Sequence, residues 1–115
     1  MNPSSVLASS GLVALVPGYE YLQEVLEAAY HQASAGKGKE RHANDSPFHE
    51  QRMLAINNLL GSDDGMAYQA MKKLTEGLQF TNAAQMEKEL LGAIVYIAGI
   101  LVRNRDAIKV AKNGL

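Results

Sequence analysis

Thirteen consecutive uncharged residues near the carboxyl end, 90–102, place the strongest constraint on the fold of this chain. The run is too short to cross a bilayer as a helix, which requires about 20 residues. A helix that is apolar on all sides is buried on all sides, and 115 residues provide little to surround it. Gly92 and Gly99 share one face of this helix, where two backbones can approach closely. We therefore expect a buried helix that also meets another copy of the chain.

Start and stop signals divide the rest of the chain into three further helices. The predicted starts are Tyr19, Ser46-Pro47, Ser62-Asp63-Asp64 and, for the apolar helix, Asn82 with Gln85 as a capping box. Apolar residues at helical spacing predict the inward faces, which are Leu22, Val25, Leu26, Ala29 and Ala33, then Met53, Ile56, Leu59 and Leu60, then Ala67, Ala70, Met71, Leu74 and Leu78. Lys72 and Lys73 are placed on the outer side of the third helix.

These elements predict one all-α domain over residues 1–115. We expect a four-helix bundle-like fold with a buried C-terminal helix, in which the third and fourth helices form an antiparallel hairpin. A content of 47% hydrophobic and 20% charged residues is sufficient for a core. The chain is expected to be a homo-oligomer built on the apolar helix and on an apolar N-terminal arm, residues 1–18. That arm lacks the basic start of a signal peptide, so a cytoplasmic protein without a membrane segment is expected.

Charge and cysteine content exclude several classes of function. The absence of cysteine removes disulfides, thiolate metal sites and cysteine nucleophiles. A net charge of −1 provides no bulk attraction to nucleic acid. The C-terminal tail has four basic residues without interleaved aromatics, and bases are commonly stacked on aromatics. These basic residues are more simply explained as complements to a helix dipole.

The segment 36–52 is the part of the chain whose composition packing does not explain. It contains two glycines, a proline and clustered charges, and binding residues are often carried on such loops. Its polar loop, 36–46, follows a helix and lacks the spacing of a Walker motif, so a looser anion site is the functional interpretation. The candidate ligand-binding residues are Lys37, Lys39 and Arg41 for charge, His42 and His49 for hydrogen bonds, and Phe48 for stacking. A solvated linker with ordinary surface charges is the alternative.

Enzymatic and metal-dependent functions have less support. His42 and His49 are seven residues apart across a proline, which matches no compact metal-ligand spacing. All-helical nucleotide pyrophosphohydrolases hold Mg²⁺ with paired carboxylates on neighbouring helices, whereas only Glu24 and Glu27 have that spacing here. We therefore expect no catalytic residues, no metal and no cofactor, with a Mg²⁺-dependent hydrolase kept as an alternative.

Several short motifs resemble those of small helical proteins encoded by tailed bacteriophages. They are Gly36-Lys37-Gly38-Lys39-Glu40-Arg41-His42-Ala43, Pro47-Phe48 with Gln51, Gly65, Tyr68-Gln69-Ala70, Lys72-Lys73, and Glu89-Leu90-Leu91-Gly92-Ala93-Ile94-Val95-Tyr96. The resemblance covers residues 36–102 and implies a bacterial host cytoplasm and an accessory role, such as counter-defence. The expected function is non-enzymatic binding of a small anionic ligand, with a nucleotide as one candidate. A factor that inhibits a host protein is the other interaction hypothesis.

Overall fold

The computed structural model describes residues 16–35 and 46–114, and all regular secondary structure in them is helical. The elements are α1 (Glu20–Ala35), a 3-10 turn (Phe48–Glu50), α2 (Arg52–Leu60), α3 (Asp64–Gln79), α4 (Ala83–Arg103) and α5 (Arg105–Lys112). The all-α prediction is confirmed for these residues. Residues 1–15 of the predicted N-terminal arm and 36–45 of the polar loop lie outside the described part of the chain.

α3 and α4 pack against each other as the predicted antiparallel hairpin. Three of the close contacts between them involve a glycine, whose missing Cβ lets a neighbouring side chain lie against the helix backbone. The contacting pairs are Met66 with Gly99, Lys73 with Gly92, and Gly77 with Leu90. Residue numbers rise on α3 as they fall on α4, so the helices run in opposite directions. The glycine face of α4 is therefore covered by this chain's own α3.

α2 is joined to α3 by a buried asparagine, Asn57, which is only 3% exposed. Its Nδ2 donates to the carbonyl oxygen of Met53 at 2.6 Å, and its Oδ1 accepts from the backbone N–H of Met66 at 3.3 Å. The second bond satisfies an N–H in the first turn of α3 that has no partner within the helix. Gly65 leaves the space for this amide, since a Cβ there would lie 3.2 Å from Asn57 Nδ2.

A polar cluster joins the α2–α3 turn to the end of α4. Arg103 Nη1 donates to Asp63 Oδ1 at 2.9 Å, and Arg103 Nε donates to Asn58 Oδ1 at the same distance. Asn104 Nδ2 donates to both carboxylate oxygens of Asp63. Hydrogen bonds from Arg103 and Asn104 lower the pKa of Asp63 below its ordinary value of 3.8. Asp63 therefore holds α4 rather than capping α3, where Ser62 Oγ accepts from the Asp64 N–H at 3.0 Å.

One predicted helix boundary is wrong, and one helix was not predicted. The second helix begins at Arg52 and not at Ser46-Pro47, because Gln51 is extended (φ −68°, ψ 158°) and a 3-10 turn precedes it. The fourth helix stops at Arg103, and Asn104 separates it from a fifth helix that was not predicted. The helix predicted to be buried is thus not the last one. The start of α4 is confirmed, since Asn82 Oδ1 accepts from the N–H groups of Ala84 and Gln85.

The predicted inward faces of α1, α2 and α3 are wrong at most positions, although Ala29 and Ala70 are buried as predicted. Leu54 and Asn57 are the buried residues of α2, and Met66, Ala70 and Gly77 are those of α3. Residues predicted to be internal are instead exposed to solvent, namely Leu22, Val25, Leu26, Ile56, Leu59, Leu60, Met71, Leu74 and Leu78. The Asn57 bonds and the glycine contacts select a face that contains polar and small residues, which a count of apolar positions does not detect.

α4 is only partly enclosed. Leu91, Ala93 and Gly99 are buried, whereas Ile97 and Leu101 are more than half exposed. α1 lies along another side of α4 and buries only Ala29 among its residues. Gln32 Nε2 fixes one end of this contact by donating to the backbone oxygen of Lys88 at 3.1 Å. Within the described residues, no helix has the length and apolar character needed to cross a membrane.

Candidate functional site

An apolar groove of about 540 Å³ lies between α1 and the 3-10 turn, with α4 as its floor. This volume is within the range of about 300–1,000 Å³ that is usual for small-molecule sites. We refer to it as the groove, and its lining residues are Leu26, Ala29, Tyr30, Ala33, Ser34, Ser46, Phe48, Gln51, Ile94, Val95, Ala98 and Val102. Most of these side chains are aliphatic or aromatic. The groove therefore suits an apolar or flat aromatic group.

Described residues on both sides of the segment 36–45 line this groove. They are Ser34, one residue before the end of α1, and Ser46, the last residue of the polar loop. Four of the six predicted ligand-binding residues are carried by the intervening segment and lie outside the described residues, namely Lys37, Lys39, Arg41 and His42.

The two remaining predicted residues occupy different environments. Phe48 is half-buried and lines the groove, where its ring provides a flat apolar wall. His49 is exposed and does not line the groove; its Nε2 lies 3.6 Å from Glu50 Oε2. The structure thus brings Phe48 into the cavity and places His49 on the outer side of the same turn.

The position of Phe48 follows from the way its turn is held. Pro47 is extended, with ψ 149°, and the backbone N–H groups of Glu50 and Gln51 close the turn on Pro47 and Phe48. Gln51 is buried, and its Nε2 donates to the backbone oxygen of Ser46 at 3.3 Å. This side chain ties the end of the polar loop to the start of α2, which fixes the ring of Phe48 against the groove.

A smaller recess of about 70 Å³, with charged residues in its lining, lies beside the groove. The two cavities share Ala33, Phe48, Gln51 and Val95, and the recess continues to Gln32, Met53, Lys73, Lys88, Glu89, Gly92 and Tyr96. Lys73 Nζ lies 3.4 Å from Glu89 Oε2, and both side chains are mostly buried. Reasoning from the sequence missed this recess, because it placed Lys73 on the outer side of α3. The usable signal was Gly92, which gives a long side chain room to cross α4.

The carboxylates of α1 do not form a metal site with other described residues. Glu24 and Glu27 lie on α1, one exposed and the other half-buried, and Glu27 Oε1 accepts from Gln23 Nε2 at 3.0 Å. In residues 16–35 and 46–114, no group of three or more histidine, aspartate or glutamate side chains could hold a metal ion. No geometry in those ranges favours the hydrolase alternative.

No model of a known protein family, no curated protein and no solved structure matches this chain. The resemblance to phage proteins therefore stays a prediction from the motifs.

Proposed function

We propose that this chain is a non-enzymatic accessory protein of the kind that tailed bacteriophages encode, and that it binds a small anionic ligand through the 36–52 loop. A nucleotide is the candidate that uses most of the site. Its base would lie in the groove against Phe48, and its phosphates would meet Lys37, Lys39 and Arg41. Sequestering such a ligand in the bacterial cytoplasm would serve counter-defence.

One observation carries this proposal: Ser34 and Ser46, at the two ends of the polar loop, both line the groove. The groove provides an apolar surface for a flat ring, and the sequence between the two serines contains the cations Lys37, Lys39 and Arg41. Neither part alone specifies an anionic ligand. Together they match a molecule with an aromatic body and a charged end, because buried apolar area gives affinity while a few placed polar groups give orientation.

The proposal is tested by the thermal stability of the purified chain in the presence of nucleotides. A ligand at about 100 times its Kd stabilises the folded state by about 2.7 kcal/mol. A series of nucleoside monophosphates, triphosphates and cyclic dinucleotides should contain at least one that raises Tm. Arg41→Ala should then weaken binding at least about tenfold, since a charge-assisted hydrogen bond contributes about 1.5–3 kcal/mol.

Matched variants separate binding from folding. Phe48→Ala should weaken the same ligand, and Lys109→Ala on α5 should leave its affinity unchanged. Arg41→Ala should also leave helix content unchanged in circular dichroism. Unfolding by Arg41→Ala would mean that the loop is structural, and an unchanged Tm with every nucleotide would contradict the proposal.

The exposed side of α1 supports a second proposal, a homo-oligomer. Tyr19, Leu22, Leu26 and Tyr30 follow one another at helical spacing, and we call them the α1 stripe. They are 60%, 53%, 51% and 76% exposed. An aromatic side chain buries about 150–250 Å², so the two tyrosines and two leucines together expose a patch of the size that marks an interaction site.

We assign this stripe to contact with a second copy, because it runs into the wall of the groove through Leu26 and Tyr30. A partner seated there would border the ligand site as well as cover the stripe. Light scattering at about 10 µM, a concentration at which a dimer with micromolar Kd forms, should give a mass of at least two chains. Leu22→Asp should give the mass of one chain.

Leu59→Asp is the control, since Leu59 is an exposed leucine on α2. It should leave the mass unchanged. A wild-type monomer would contradict the oligomer and leave the stripe for a host protein, whereas dissociation by Leu59→Asp alone would move the interface to α2.

A further inference from the structure

The recess has room for one compact group and a cation that can bind an anionic one. Its volume of about 70 Å³ exceeds the roughly 10–15 Å³ that a cavity needs to hold one water molecule. Its charged lining residues are Lys73, Glu89 and Lys88, of which Lys88 is exposed. A carboxylate or a phosphate is a compact anionic group of this kind, and Lys73 can pair with it.

Lys73 is held where it can contact such a group. A Cβ at position 92 would lie 3.3 Å from Lys73 Cδ, so the lysine stem crosses α4 over Gly92. Its Nζ is paired with Glu89 Oε2 at 3.4 Å, and the Lys73 side chain is only 26% exposed. The charge is therefore kept at the recess by its neighbours and does not extend freely into solvent.

Gln32 contributes a polar group to the same recess. Its Nε2 donates to the backbone oxygen of Lys88 at 3.1 Å. A primary amide nitrogen carries two N–H groups, and this bond uses one of them. The recess thus combines the amide of Gln32 with the ammonium group of Lys73, and both can donate to a negatively charged oxygen.

We propose that the recess binds the oxyanion of an amphipathic ligand whose aromatic or apolar body lies in the groove. Phe48, Ala33, Gln51 and Val95 line both cavities, so one molecule can occupy both around the Phe48 ring. This inference rests on the proposed function and adds a second anion contact, made by α3 and α4 instead of the polar loop. Glu89 competes with the ligand for Lys73 and sets the strength of that contact.

The test compares three probes with one ring system, 2-naphthol, 2-naphthoate and 2-naphthyl phosphate, by calorimetric titration of the full chain near neutral pH. The two anions should bind at least about tenfold more tightly than the naphthol, which is the effect of one charge-assisted hydrogen bond. Lys73→Met should remove most of this advantage and leave the affinity for 2-naphthol unchanged. Whichever anion binds more tightly identifies a carboxylate or a phosphate as the preferred group.

Lys72→Met is the matched control, because Lys72 is the adjacent residue of α3 and pairs with Glu76 on the exposed surface. It should keep the full advantage of the anions. Glu89→Gln should strengthen anion binding severalfold, since it removes the competitor for Lys73. An advantage that survives Lys73→Met, or weaker anion binding in Glu89→Gln, would overturn the recess as the anion site.

The probes also distinguish this inference from the proposed function. Binding of 2-naphthol that Phe48→Ala weakens, without any gain from the charged groups, would retain the groove and reject the recess. No binding of any probe would count against the groove itself, and with it the proposed function. Melting curves of each variant, measured by circular dichroism, establish that the loss is one of binding and not of folding.

Discussion

The α3–α4 hairpin and helix α1 use their apolar residues in different ways. The hairpin buries side chains against glycines, and with α2 it encloses Leu54 and Met66, each 1% exposed. α1 has the same length as α3, 16 residues, yet it buries a single alanine. Its leucines, valine and tyrosines remain between 44% and 82% exposed. The hairpin thus provides stability, whereas α1 exposes the apolar surface to which we assign the proposed ligand and the proposed second copy.

The largest expected effect on this contrast comes from truncating the core. Leu54→Ala should destabilise the chain by about 2–5 kcal/mol, because a buried leucine loses its contacts and leaves a cavity. Leu22→Ala on α1 is the control, and it should cost less than about 1 kcal/mol, since the side chain is already half exposed. Urea unfolding followed by circular dichroism measures both. Equal losses would mean that α1 belongs to the core.

The two glycines of α4 differ in how tightly they are packed, so the same substitution should have different effects at each. A Cβ at Gly99 would lie 2.8 Å from the Sδ of the fully buried Met66, whereas one at Gly92 would meet the flexible stem of Lys73 at 3.3 Å. Gly99→Ala should therefore lower stability by about 1–3 kcal/mol through overpacking. Gly92→Ala should be neutral or stabilise by up to about 1 kcal/mol, because alanine favours the helix.

These glycines also indicate how far the sequence could predict the fold. Local chemistry was sufficient for the all-α class, the hairpin and the cap at Asn82, since each depends on neighbours in sequence. The inward faces were not predictable from apolar spacing, because the packed face of α3 contains Lys73 and Gly77. Which face packs is decided by contacts with Asn57 and Gly99, and these are distant in sequence.

The candidate site, like the fold, was predicted from the sequence only in part. Phe48 was predicted from its place in an unusual loop, and the structure places it in the groove wall. The recess was missed because its charged residues come from two different helices and meet only after folding. A lysine beside an apolar stripe gives no sign that it will cross a glycine on another helix. Pairing Lys73 with Gly92 requires the register of the hairpin.

Acid should weaken the polar cluster of Asp63, Arg103 and Asn104 before it affects the apolar core. Because Arg103 and Asn104 lower the pKa of Asp63, the Asp63 carboxylate stabilises the fold fully above its ordinary value of 3.8. That contribution is lost as the pH falls through the lowered pKa. Asp63→Asn should therefore be less stable than wild type at neutral pH, and the difference should shrink below about pH 4, as measured by urea unfolding across pH.

Glu76→Gln is the control for this dependence. It removes the exposed Lys72–Glu76 pair, with its nitrogen–oxygen distance of 3.8 Å, and such pairs contribute at most about 1 kcal/mol. Its effect at neutral pH should be smaller than that of Asp63→Asn. A difference between wild type and Asp63→Asn that stays constant down to the lowest pH would contradict the role of the carboxylate.

The smallest change in the stability of the isolated chain is expected from a substitution on α1. Its effect should appear only when Tm is measured at several protein concentrations. Leu22→Ser changes an exposed side chain, and such substitutions usually alter stability by no more than about 0.5 kcal/mol. If the α1 stripe joins two copies, Tm of the wild type rises with protein concentration, because association stabilises only the folded state. Leu22→Ser should remove that rise while leaving Tm unchanged in dilute solution. A lower Tm at every concentration would instead mean that Leu22 is packed within its own chain, and the contrast between α1 and the hairpin would then be lost.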